Sequence, residues 1–338
     1  MINSLKKYLL ISLILVLTAG ALFAQQRQIT IRMASPVPEH TPWGRMFNEM
    51  AAEWSRITNG QIRVIIFHSG TAGSEKEVVR KLRSDDIQAA VLSTFGLYEI
   101  TPEVMTLSCP FMIRNDDELD VVLAGVKGEL ERRINSKRFY TLAWARIGWV
   151  KFFSKQPIFT PADLKRQRLG TNSDQAEMNH VFRTMGFQMV PFEQNQILVA
   201  LTNNQVDAVF SSLAAVGTDQ SFGLARNMAS INVAPFLGAI VFNEQTWRRI
   251  PEQFRNDMIT STRRLEARLD QEVRSFEKDL IDTLGGFGLV INNLTPQQEQ
   301  LWYDEIGRIT PSLIGTMLDR DIYNRINTLL VDYRSRRR

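Results

Sequence analysis

The sequence has a single cysteine and only three histidines. Cys109 alone excludes an intrachain disulfide and any cysteine-based zinc site. His40, His68 and His180 stand far apart in no ligand spacing, so no metal centre is expected. Glycine and proline, at 19 and 12 residues, are too scarce for a low-complexity or collagen-like chain. Beyond the N-terminal segment no apolar run approaches the roughly 18 residues of a membrane span. The G-x-S-x-G elbow, the P-loop, the H-E-x-x-H pair and G-x-G-x-x-G are all missing. These absences speak against an enzyme and against a bound cofactor. What is present is ordinary for a globular protein: 338 residues, 44% hydrophobic and 22% charged. The length suggests about two domains. It is ample for a core that needs neither disulfides nor a structural metal.

The formal net charge is +4, and the start of the chain supplies part of it. Lys6 and Lys7 precede the apolar run Tyr8–Phe23, and small residues end at Ala24. This reads as a secretory signal peptide over residues 1–24. The alternative is an uncleaved membrane anchor, because Leu22, three residues before the cut, is a weaker match than alanine. The run holds no cysteine, which speaks against a lipoprotein. Cleavage removes both lysines and leaves a nearly balanced chain, so no nucleic-acid partner is expected. The mature protein is expected in the periplasm.

Gln28–Ala34 alternates and reads as a strand. Thr41-Pro42 offers a helix N-cap followed by a first-turn proline, and Asn59-Gly60 a stop. Strand Ile62–Phe67, a loop with Gly70 and Gly73, a helix through Val78, Val79 and Leu82, and strand Ala89–Leu92 follow. A helix around Leu119–Ile134 leads to strand Tyr140–Ala145. After Gly148 the rhythm restarts with strand Val150–Ser154, a helix capped at Thr160-Pro161-Ala162-Asp163 and strand Arg168–Thr171. Helix Glu177–Met185, strand Gln188–Val190, helix Gln194–Thr202 and strand Ala208–Ser211 complete the second run. Such alternation implies α/β lobes with a largely parallel sheet, and two runs imply two lobes.

Pro251–Leu284 carries Phe254, Met258, Leu265, Leu269, Val273, Phe276, Leu280 and Leu284 at helical spacing. Pro251 suits its first position and Gly285-Gly286 its end. A helix of that length spans about 50 Å, against roughly 30 Å for one lobe, so it is expected to pack on both. Thr295-Pro296-Gln297-Gln298 opens another helix. The arginine-rich tail from Tyr333 is expected to fray. Gly70–Ser74 before a helix has the form of an anion-binding turn, but a plain strand-to-helix turn is the simpler reading. Cys109 reads as a buried small hydrophobe. An exported two-lobe chain without catalytic groups points to ligand capture by lobes that close on a small molecule.

Several segments match one family in order. Phe67-His68-Ser69-Gly70-Thr71-Ala72-Gly73 stands where that family has an aromatic residue and Pro-Ser-Ser-Gln-Leu-Gly. Cys109-Pro110-Phe111 is similar to its Leu-Pro-Phe, and Pro161-Ala162-Asp163-Leu164-Lys165 to its Pro-Glu-Asp-Leu-Lys. Met185-Gly186, Val190-Pro191-Phe192 and Ala200-Leu201 through Val206-Asp207 follow in the family's order. Over most of 28–330 the chain resembles the extracytoplasmic solute-binding proteins of TRAP transporters, of the DctP type. The resemblance implies a two-lobe, periplasmic-binding-protein-like α/β fold with a long helix spanning both lobes and a ligand cleft between them. The expected partition is 28–146 with 235–265 for the first lobe, 147–234 with 266–330 for the second, and a basic tail over 331–338. The implied partners are a small-molecule solute and the membrane permease subunits of the importer. Some TRAP systems add a periplasmic TPR-repeat protein.

The departures from the family concern its ligand site. The arginine that the family pairs with a ligand carboxylate falls here on Gly170, with Thr171 next. Arg168, two residues earlier and on the same strand face, is a partial substitute. A second family arginine falls on Trp149. The family's Val-Asp-Gly-Gln-Glu-Asn-Pro becomes Val206-Asp207-Ala208-Val209-Phe210-Ser211-Ser212. A carboxylate buried without its cation loses several kcal/mol of hydration, so the changes argue against a dicarboxylate or a sugar acid. Trp149, Phe192 and Phe210 would supply apolar surface instead. Lys76 stands where sugar-acid-binding members carry a basic residue. Ser35, Ser93 and Trp43 complete the candidates, although any one aromatic is equally readable as core. The expected function is capture of a neutral or apolar solute for a TRAP-type importer. The alternative is a binding-protein scaffold that has lost its ligand and acts through a protein partner. An exported enzyme or the binding protein of an ATP-driven importer are more distant readings.

Overall fold

The computed structural model describes residues 28–173, 175–193 and 196–337. The expected signal peptide lies outside the described residues. Strand β1 (Ile29–Ala34) pairs in parallel with β2 (Ile62–Phe67) and β3 (Ala89–Ser93). Between β1 and β2, α1 (Pro42–Ile57) starts where the Thr41 hydroxyl accepts from the Gly44 N–H and Pro42 fills the first turn. It ends at Asn59 and Gly60, both left-handed at φ 49° and 78°. Helix α2 (Glu75–Arg83) opens on a capping box between Ser74 and Glu77. The short α3 (Thr94–Tyr98), a 3₁₀ segment (Pro102–Ser108) and α4 (Asp116–Ser136) lead to β4 (Phe139–Ser154).

The second lobe adds α5 (Pro161–Lys165), β5 (Arg168–Asn172), α6 (Ala176–Thr184), β6 (Gln188–Phe192), α7 (Ile197–Thr202), β7 (Ala208–Ser212) and α8 (Leu213–Thr218). The chain continues through β8 (Asn227–Ala229), β9 (Ala234–Asn243), α9 (Glu244–Arg249), α10 (Glu252–Gly286) and β10 (Val290–Asn292). It closes with α11 (Pro296–Leu313) and α12 (Arg320–Ser335).

The strands form one sheet in the order β2-β1-β3-β9-β4-β7-β5-β6, with β8 on β4 and β10 beyond β8. The expected parallel character holds within each lobe's outer strands. The middle is antiparallel, because β9 returns from the second lobe to fill the gap between β3 and β4. The sequence reading has no strand at β9. The two strands expected on either side of Gly148 are one strand of 16 residues. It pairs with β9 over its first part and with β7 and β8 over its last. Shifts in register at Thr141/Ala143 and Arg146/Gly148 let it bend without breaking. Gly148 sits at φ 139°, a conformation open only to glycine at low cost.

Helix α10 runs for 35 residues, about 52 Å. Pro251 is its N-cap rather than its first residue, and Gly285 and Gly286 are still helical. The left-handed turn falls on Gly288, at φ 97°. Leu265, Leu269 and Val273 pack with Phe47, Met50 and Trp54 in the first lobe. Leu284 packs with Val206, Val209 and Leu213 in the second. The expectation of a helix bridging both lobes is therefore met.

The expected partition of the chain needs three corrections. Met105, Cys109 and Phe111, assigned to the first lobe, sit in the second lobe's core with Phe152, Phe182 and Trp302. Helix α12, largely assigned to the second lobe, packs on the first: Ile322, Ile326 and Leu330 join Val122, Val126 and Leu130. The basic tail is tied down, since Arg334 donates to both Glu118 carboxylate oxygens at 2.8 Å and Arg337 to Asp117 at 2.8 Å.

Candidate functional site

Strands β5 and β7 lie side by side, Gly170 against Val209. Their C-terminal ends bring four of the expected residues together. Gly170, Thr171, Phe210 and Ser211 line one cavity with Asn172, Asp219 and Ser221. Its free volume is about 10 Å³, room for a single water molecule. The lining offers hydroxyls, an amide and one carboxylate, and no cation among the described residues. Thr171 Oγ1 and Ser221 Oγ are buried without a hydrogen-bond partner. A larger concavity of about 390 Å³ lies between α5 and α11. None of the expected site residues lines it, and Glu305 there is already bonded to Lys165 and Arg308.

At Gly170 the arginine position of the family meets a wall. A Cβ there would stand 3.2 Å from both γ carbons of Val206. Gly170 is thus a packing glycine whose open side faces the core, and no large side chain fits unless Val206 moves. Arg168 is not a substitute clamp. Its Nε and Nη2 donate to the two Asp207 carboxylate oxygens, each at 2.8 Å. The guanidinium fork is occupied, and Arg168 holds the Asp207 carboxyl below the usual carboxylate range.

The expected aromatics are mostly core. Phe210 is in a ring cluster, edge-on to Phe182 at 5.0 Å and 6.1 Å from Phe152. Trp43 is 3% exposed, sits edge-on to Phe276, and donates from Nε1 to the Arg146 carbonyl at 3.2 Å. Trp149 is 5% exposed and donates from Nε1 to Asp116 at 3.0 Å. Neither tryptophan lines the cavity, because each indole N–H has an internal acceptor that fixes it inside. Phe192 is half-buried at the end of β6 against the core that holds Val209.

On the first lobe, Ser35 directly follows β1, Ser93 ends β3, and both are buried. Ser35 Oγ has no partner. Ser93 caps α3 and donates from Oγ to Glu75 at 2.6 Å. Lys76 is exposed on the first turn of α2. The lobes are in contact here. Phe95 of α3 packs against the second lobe's core. Burial and then the Glu177 carboxylate of α6 push the Tyr98 phenol upward.

The cations that sequence reasoning missed lie at the junction of the lobes. Arg146 of β4, 7% exposed at its side chain, meets Asp116 at 2.6 Å, Asp120 at 2.5 Å and Asp270 at 2.8 Å. Arg274 joins the same three carboxylates. Five residues further along β4, Lys151 donates to the Ser230 carbonyl at 3.0 Å and to Asn232 Oδ1 at 2.8 Å. Burial pushes its ammonium down to about 8. The Glu277 carboxylate of α10 faces it and accepts from the Trp149 N–H at 3.2 Å. Burial pushes Glu277 upward. A Cβ at position 148 would collide with that carboxylate, so Gly148 is needed for the approach as well as for its φ. Asp116/Asp120 and Asp270/Arg274 are each one helical turn apart in sequence. That spacing was the available signal, but it does not name Arg146 as the shared partner.

Comparison with known proteins gives a consistent result. The family model described as bacterial extracellular solute-binding protein, family 7 (DctP), matches residues 33–314. A solute-binding protein of Verminephrobacter eiseniae is 27% identical over 56% of this chain and 57% of its own length. The C4-dicarboxylate-binding protein DctB of Bacillus subtilis is 23% identical over 88% of this chain and 86% of its own. Among solved structures, the sugar acid binding protein DctPAm of Advenella mimigardefordensis, in complex with galactonate, superposes with a TM-score of 0.81. It is 17% identical, with 90% of this chain and 99% of that one covered.

Proposed function

The chain belongs to the DctP family of bacterial extracellular solute-binding proteins, and on that premise we propose that it captures a small neutral or apolar solute. It works outside the cytoplasm and hands the solute to the membrane permease subunits of a TRAP importer. Among the described residues no helix is long and apolar enough to cross a membrane. One observation carries the choice of solute. The cavity that gathers Gly170, Thr171, Phe210 and Ser211 has a carboxylate, Asp219, in its wall and no cation. Of the relatives named above, DctB is named for binding a C4-dicarboxylate and DctPAm is in complex with galactonate. In this chain the nearby guanidinium groups, Arg168 and Arg146, are already bonded to internal carboxylates. A solute carboxylate brought into this site would lose several kcal/mol of hydration with no cation in the lining to offset it.

The narrowness of the cavity favours a second reading, a scaffold that acts through a protein partner such as a periplasmic TPR-repeat protein. A thermal shift on the chain from Gln25 separates these readings. One panel holds carboxylates and acidic sugars, the other neutral and lipophilic metabolites. A ligand at 100 times its dissociation constant stabilises by about 2.7 kcal/mol. Stabilisation by neutral solutes alone is expected. A carboxylate hit would overturn the neutral-solute reading, and silence from both panels would favour the scaffold.

A further inference from the structure

The chain passes between the lobes several times, the link from α11 to α12 included, and four of the crossing segments converge near one residue. They are the loop leading into α4, strand β4, the segment from Ser230 into β9, and helix α10. Lys151 of β4 touches the Ser230 segment, faces α10, and reaches the loop before α4 through Asn232. Its ammonium donates to the Ser230 carbonyl and to Asn232 Oδ1. Asn232 in turn donates from Nδ2 to the Arg114 carbonyl, in the loop before α4, at 2.9 Å. Across the other side, Glu277 of α10 faces the ammonium and is bonded to the backbone two residues earlier on β4, at Trp149.

The location is distinctive. Lys151 pairs in register with Ser211, the cavity-lining residue of β7, and lies three residues beyond the bend at Gly148. The residue is half-buried, with its ammonium bonded to protein acceptors. Replacing it by an apolar side chain would relieve its desolvation, so stability alone does not explain its presence. We propose that Lys151 is a positioning residue for the two lobes: directly and through Asn232 it ties these four segments at one point and holds the lobes in the arrangement described here. The proposal rests on the two-lobe binding reading but not on the identity of the solute.

The test therefore needs no solute. Spin labels are placed on cysteines at Thr71, in the first lobe, and at Glu193, in the second, both exposed. The native thiol does not compete, because Cys109 is buried and its thiol is pushed up to about 12. Pulsed electron resonance then reads the distance between the lobes. At pH 7 the labelled protein should give one short population, and Lys151→Met should move most of it to longer distances. Asn232→Ala, which keeps the lysine and removes one acceptor, should move less of it the same way. It also covers the case in which Lys151→Met fails to fold.

A pH series adds a reading that a merely structural lysine would not give. The charged groups around the site are Glu277, which faces Lys151, and Asp116 and Arg146, which flank Glu277. At pH 9.5 the neutral amine keeps two donors and sheds the desolvation that outweighs its attraction to Glu277. The distances should therefore tighten in the labelled parent and stay fixed in Lys151→Met. Unchanged distances in folded Lys151→Met and Asn232→Ala would overturn the proposal. So would an equal pH response in the parent and in Lys151→Met. Neither outcome depends on whether the solute panels give a hit.

Discussion

The junction between the lobes and the cavity at the ends of β5 and β7 treat charge in opposite ways. At the junction, Arg146 is enclosed by three carboxylates and Lys151 is half-buried facing Glu277. In the cavity, the lining has hydroxyls, an amide and a single acid. The two regions share strand β4 and its partner β7, with Lys151 directly opposite Ser211. Cations are thus present within reach of the cleft but are consumed in holding the molecule together. A fixed internal carboxylate does for Arg146 and Arg168 what a ligand carboxylate would do in a free arginine clamp. The difference teaches that counting arginines near a cleft says little until each one's partner is known.

The largest effect should come from the junction. Arg146→Met would leave Asp116, Asp120 and Asp270 close together without their most buried partner. We expect a loss of about 3–5 kcal/mol in urea denaturation. A loss under 1 kcal/mol would mean that Arg274 alone suffices, and the contrast between the regions would weaken.

The next effect is one of pH. Lys151 has a folded value of about 8 against an ordinary 10.5. A depressed lysine contributes stability that is present above its unfolded value and lost as pH falls through its folded value. Between pH 8 and 10 the protein should therefore gain about 2 kcal/mol as pH rises, relative to Lys151→Met. Parallel stability curves for the two proteins would refute a desolvated charge at this place.

A smaller effect tests the cavity wall. Gly170→Ala should cost about 1 kcal/mol by overpacking against Val206. The loss should vanish when Val206→Ala is added, since the two sites are coupled. Smallest of all, Arg168→Ala should leave any solute-dependent thermal shift unchanged. Loss of that shift would show that Arg168 leaves Asp207 to hold the ligand, and the cavity would regain its cation.

Much of the fold was legible in the sequence for physical reasons that can be named. The caps at Thr41, Thr160 and Thr295 and the periodic apolar face of α10 are local, and they survive folding unchanged. Strand β9 was missed because both its faces are covered. Its run Ala234–Asn243 is apolar throughout rather than alternating. The break expected at Gly148 was a bend, since one glycine in a strand can mark a bulge as well as an end. At the candidate site, the convergence of Gly170, Thr171, Phe210 and Ser211 was legible through family order. The Arg168–Asp207 pair and the Arg146 cluster were not. They join residues 39, 30, 26 and 124 positions apart, and no local pattern encodes contacts of that range.

Strand β9 also bears on the order in which the molecule can assemble. It is inserted between β3 and β4, pairing Ala89 with Phe242 and Phe139 with Asn243. A chain that emerges N-terminus first therefore presents all of β1 to β4 with the central slot of the first lobe unfilled. That slot stays open until residue 243 has emerged, by which time the strands of the second lobe up to β8 are already out. Neither lobe is one continuous stretch of chain, and a cut anywhere between β4 and β9 would separate β9 from the two inner strand edges that it pairs with.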